Sequence, residues 1–148
     1  MAINTGKVVV GGLAAGVVGN VLGFLLFGMW LGPKFEAEAV AAAPSLAGKG
    51  ATSFAMTMTI VSGFVVGFLL VWLYAAIRPR FGPGPKTAIY AALVVWILGF
   101  LFHIDLWIFG LVTPATYMLA TVAALVSTTV SSVVGAMLYK EDTSVAAM

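Results

Sequence analysis

The sequence predicts an all-α fold, a transmembrane four-helix bundle, and three observations carry that expectation. Four apolar runs, Val8 to Leu31, Phe54 to Ile77, Ala88 to Phe109 and Ala115 to Leu138, each exceed the roughly 20 residues that cross a bilayer core as helix. Hydrophobic residues make up 62% of the 148 and charged residues 8%, against a charged share of about 25% in soluble domains. The charges collect in the breaks between the runs, so they anchor spans at headgroups instead of covering a soluble surface. One integral membrane domain over residues 1–148 is expected, because nothing outside the runs is long enough to form a second core.

The first run is preceded by the positive Lys7 and followed by the small residues Ala41 to Ala43, as a signal peptide would be. Its apolar stretch is far longer than the 7–15 residues typical of a signal h-region, so a retained helix is expected. Gly12 and Gly16, then Gly19 and Gly23, recur at four-residue spacing, which places each pair on one helix face open to close helix approach. Asn20 sits among them, mid-span, where its amide must find a partner because water is absent. An interhelical hydrogen bond is expected, with a ligand or ion site as the alternative. In the connection 32–50, Pro33 opens a short helix through Lys34, Phe35, Glu36 and Glu38, ended by Pro44 and lying along the membrane surface beside Trp30.

The second run carries Gly63 and Gly67 at the same spacing, while Thr57, Thr59 and Ser62 suit back-bonding to their own helix. It ends in Arg78-Pro79-Arg80-Phe81-Gly82-Pro83-Gly84-Pro85-Lys86, whose prolines and glycines predict a stiff, non-helical turn. The fourth run offers Ser127, Ser131 and Gly135, with Ala120 and Ala124 above, and expects Thr128, Thr129 and Ser132 to bond back to their own carbonyls. A tight turn at Gly110 to Pro114 precedes it, and the tail from Lys140 onward is expected to fray.

The third run is interrupted by His103 and Asp105. Counted from Lys86, His103 lies about 25 Å along the helix, near the outer edge of the hydrocarbon layer, with Trp107 as an interfacial anchor. Two residues apart, His103 and Asp105 do not pair. Headgroup exposure, or a contact with Glu36 and Glu38, is the plain expectation. The sharper alternative makes His103 a cofactor ligand. A six-coordinate haem needs two imidazoles and this chain has one histidine. A five-coordinate magnesium chlorin needs one, in an aromatic setting that Trp96, Phe100, Phe102 and Trp107 would supply. No other cofactor is expected.

Four spans put both termini on one side. That side holds Lys7, Arg78, Arg80, Lys86 and Lys140, against Lys34 and Lys49 on the other, which predicts cytoplasmic termini. The chain has no cysteine, which excludes disulfide and thiolate chemistry. Zinc hydrolysis would need clustered ligands, and a proton-coupled exporter an acidic residue deep in the first span. Gly82-Pro83-Gly84-Pro85-Lys86 has too few N–H donors to cradle a phosphate. An enzyme is not expected, nor is a nucleic-acid partner.

Three segments together resemble a group of small bacterial four-span membrane proteins of uncharacterised function. They are Gly11-Gly12-Leu13-Ala14-Ala15-Gly16-Val17-Val18-Gly19-Asn20, then Trp72 through Ala88 with its Arg-Pro-Arg-Phe-Gly-Pro-Gly-Pro-Lys turn, and Gly135-Ala136-Met137-Leu138-Tyr139-Lys140. The resemblance implies a multi-pass protein of the bacterial inner membrane and assigns no site residue.

These readings lead to a structural or accessory membrane protein among lipids, packing as a homo-oligomer or with other membrane subunits through its small-residue faces. The alternative is a binder of a membrane ligand (chlorophyll-type pigment, haem, quinone or lipid) near His103. A small transporter or channel using Asn20 is the third.

Overall fold

The structure, a computed structural model, describes residues 3–140, so the tail expected to fray beyond Lys140 lies outside the described residues. Every regular element among them is helical, and four helices are long and apolar enough to cross a membrane. This is the architecture of a multi-pass membrane protein.

The first rod is longer than its apolar run. Asn4 caps it by accepting from the Lys7 N–H at 3.1 Å. Helix α1 (Thr5–Gly23) then widens into a π-helical stretch, Phe24–Leu31, and continues as α2 (Gly32–Ala42). The short helix at Pro33 is present, but it does not form a separate surface element. It extends the first span, because Pro33 falls in the first turn of α2, where the handover from π to α spacing is already irregular.

Helix α3 (Ser53–Phe81) is capped by the Thr52 hydroxyl, which accepts from Ala55 N–H at 3.2 Å. It runs through Pro79, against the expected break at Arg78. So near a helix end the proline deletes only its own bond to Ala75, and Gly82 N–H still reaches the Arg78 carbonyl at 2.8 Å. The turn shrinks to Gly82-Pro83-Gly84, whose glycines take φ of 84° and 124°, a region closed to most side chains. Helix α4 (Pro85–His103) yields at Ile104 to one turn, α5 (Asp105–Ile108). Helix α6 (Pro114–Leu138) is capped by Thr113.

Around the bundle, α1 packs on α3 and α6, and α4 packs on the same two helices from the other side. Thus α1 and α4 stand diagonally opposite. Both described termini meet at one end, where Asn4 N–H donates to the Tyr139 hydroxyl at 3.3 Å and Tyr74 packs edge-on against Tyr139.

The larger core sits at that end, and a smaller cluster of Leu31, Ala120 and Ala123 lies toward the other. The larger one is built from Val8, Gly12, Ala15 and Gly16 of α1, Gly67 to Ala75 of α3, Thr87 to Ala92 of α4 and Ser131 to Ala136 of α6. Toward the far end, no residue of 17–30, 53–66 or 93–103 is buried, whereas α6 stays buried at Thr116, Tyr117, Ala120 and Ala123. Small residues explain the tight half. A Cβ added at Gly67 would lie 2.5 Å from the Gly16 nitrogen and 2.7 Å from the Gly12 oxygen, so backbone meets backbone there. Gly135 is equally constrained, 2.9 Å from the oxygen of Gly11. Gly63 leaves room for the Asn20 amide, and Gly19 for Ser131. Gly23 faces open space, and Ser127 is half-buried, so the four-residue rhythm continues beyond the contact it suggests.

Hydrogen bonds join the helices in both halves. Asn20 Nδ2 donates to Gly16 O at 2.9 Å and, across to α3, to Ile60 O at 3.2 Å. Thr57 and Thr59 bond back to their own helix. Ser132 does not; it donates to the Ala88 carbonyl of α4 at 2.8 Å, because the small Ala88 lets the two backbones draw close.

Candidate functional site: an apolar crevice beside His103

Where the bundle loosens, a crevice of about 430 Å³ opens between α4 and α6. On α4 its wall is Trp96, Gly99, Phe100 and His103, spaced i, i+3, i+4 and i+7, so one helix face presents all four. On α6, Tyr117, Ala120, Thr121, Ala124 and Thr128 repeat that stripe. Phe27 from the π-helical stretch, Phe35 from α2 and Val66 from α3 close it. The volume exists because Gly99, Ala120 and Ala124 are small in the middle of the stripes, and nothing lies within 4 Å of a Cβ added at Gly99.

The walls present mostly carbon. Trp96 stacks on Phe100 with centroids 6.3 Å apart, Phe100 lies 5.6 Å from Tyr117, and Tyr117 lies 6.2 Å from Trp107. Trp96 Nε1–H donates to Thr121 O at 2.9 Å, and the Tyr117 hydroxyl donates to Phe100 O at 2.6 Å. Both polar ends are thereby tied to helix carbonyls, and these bonds clamp α4 to α6 on either side of the opening.

The shape suits a chain. From Val95 of α4 to Leu106 of α5 the lining runs about 16 Å along the bundle at 1.5 Å per residue, an elongated apolar space that suits a lipid chain. The sequence also raised a macrocyclic ligand on His103. Of the aromatic residues expected around such a ring, Trp96 and Phe100 line the crevice, Trp107 backs Tyr117, and Phe102 points away, 77% exposed.

His103 stands at the far rim. Its Nδ1–H donates to Gly99 O at 2.8 Å. The expected contact with Glu36 and Glu38 is not made, since both carboxylates are engaged elsewhere. Glu36 accepts from Gly48 N–H at 3.2 Å, and Asp105 accepts from Leu106 N–H at 3.0 Å. Glu38 caps α6, accepting from Thr113 N–H at 2.8 Å, from the Thr116 hydroxyl at 2.7 Å and from the Thr113 hydroxyl at 3.2 Å. A carboxylate at a helix N-terminus is the favourable charge there. This latch holds α2, and with it Phe35, beside α6.

Glu38→Ala is expected to speed hydrogen exchange at the Thr113 amide, which donates to the Glu38 carboxylate. Unchanged Thr113 protection in Glu38→Ala would show that the latch does not hold α2.

Sequence reasoning placed Trp96, Phe100 and His103 here but missed Phe27, Phe35, Gly99 and Tyr117. The i, i+3, i+4, i+7 stripe on the third run was a usable signal; the partners from α2 and the π-helical stretch had none, since they depend on how the first rod continues. No family model, curated protein or solved structure matches this chain.

Proposed function

We propose that this protein binds one chain-bearing lipid-soluble molecule in the crevice between α4 and α6. It would do so in a bacterial inner membrane, with both termini cytoplasmic and His103 toward the outer leaflet. The observation that carries this reading is the crevice itself, elongated and lined mostly by carbon, beside aromatic side chains whose polar ends are spent on backbone carbonyls. The basic residues Lys7, Arg78, Arg80 and Lys86 at the other end support the orientation.

Photolabelling tests it. A diazirine-bearing single-chain lipid, added to the protein in nanodiscs, is expected to label peptides containing Phe100 and Tyr117 well above the exposed lipid-facing residues such as Val122 and Val126. Uniform labelling over all exposed faces would reduce the crevice to ordinary lipid contact.

One observation favours a second reading, an accessory subunit that packs on itself or on a larger complex. Residues 56–62 of α3 are exposed on every side, with Thr57, Thr59 and Ser62 among them. A helix end so bare suits a neighbouring helix. Transport through Asn20 has less support, because both of its amide hydrogens are used in holding α1 to α3.

A further inference from the structure

The rim of the crevice selects for head chemistry. Trp96 and Tyr117 have spent their donors on helix carbonyls, and Thr121 spends its own on Tyr117 O at 2.9 Å. His103 differs. A carbonyl can only accept, so the bond to Gly99 O places the proton on Nδ1. Of the two neutral tautomers this bond selects the one whose lone pair is on Nε2, an acceptor at the mouth of an apolar channel. An ester, ether or quinone oxygen would meet that lone pair with one of its own. A hydroxyl would satisfy it.

Resting on the reading of the crevice as a chain site, we infer that its ligand is a single-chain lipid headed by a hydroxyl. The O–H donates to His103 Nε2, and the chain runs inward past Gly99 and Ala124 toward Thr128. The placement is consistent along the bundle axis: His103 lies at the end of α4, where a polar head finds the membrane interface, and Val66 and Val95 line the crevice with carbon. The acceptor confers selectivity and the walls confer affinity.

Paired probes of equal chain length test this: a long-chain alcohol against its methyl ether, and an alkyl hydroquinone against its dimethyl ether. Binding to the full chain in nanodiscs is read by competition with the photolabel. The hydroxyl member of at least one pair is expected to bind roughly three- to tenfold tighter, the worth of one neutral hydrogen bond. Preference in the first pair identifies an alkyl alcohol as the source, and preference in the second alone a phenolic head. In His103→Leu the ratio is expected to fall to about one with the ether's affinity retained, which also reports that the crevice is intact; in His103→Gln, which restores an acceptor, part of the preference returns. If both members of each pair bind equally and His103→Leu changes nothing, the hydroxyl inference is overturned while the chain site stands. If no probe binds, the chain site fails with it.

Discussion

Gly67→Leu is expected to unfold or separate the bundle at the α1–α3 crossing. The new side chain would start 2.5 Å from the Gly16 nitrogen and 2.7 Å from the Gly12 oxygen, and neither is the tip of a side chain that can rotate aside. Overpacking a core costs about 1–3 kcal/mol even where side chains yield. Here two backbones must part, breaking dispersion contacts along the crossing and the Asn20 bond to Ile60, so a cost at or above 3 kcal/mol is expected. Gly23→Leu is the control, since nothing lies within 4 Å of its missing Cβ and it sits in the rod that Gly67 crosses. Thermal unfolding in mild detergent compares them. Equal melting of the two variants would mean that the crossing does not hold the fold.

Gly99→Phe is expected to have the largest effect on the site, and in the opposite sense for stability. Its Cβ enters open space, so the ring would fill the middle of the crevice without displacing backbone. Replacing a helix-interior glycine also favours helix by up to about 1 kcal/mol. Binding of a single-chain lipid should therefore fall at least tenfold while the melting temperature holds or rises. Photolabelling at Tyr117 measures the first and thermal unfolding the second. Undiminished labelling in a folded Gly99→Phe protein would move the lipid elsewhere.

The two glycines are alike in sequence, each one small residue in a long apolar run, yet one closes the structure and the other opens it. Local spacing tells which residues share a face. It does not tell what stands opposite. Gly12, Gly16 and Gly67 were legible because a four-residue rhythm in two runs is what a close crossing needs. Gly23 and Ser127 show the limit, continuing the rhythm after the helices have diverged. The long first rod was hidden for a similar reason: Pro33 and the charges at Lys34, Glu36 and Glu38 look like a break, and the capping of α6 by Glu38 is a contact between residues 75 and more positions apart. His103 was singled out as a lone polar group in an apolar run, but its proton's position came from a backbone carbonyl one turn back.

What the sequence alone determined is the number of spans, the crowding of basic residues at one end and the helix faces on which small residues gather. Each follows from the cost of placing charge or unpaired backbone in hydrocarbon, which depends on residue type and order. Tertiary structure alone decided that the larger core occupies one half of the bundle and that the other half holds a smaller cluster and a crevice. That outcome depends on which stripes meet across space. Glycine and alanine faces draw α1, α3 and α6 together near the termini, and beyond them the aromatic stripe of α4 meets α6 across a crevice.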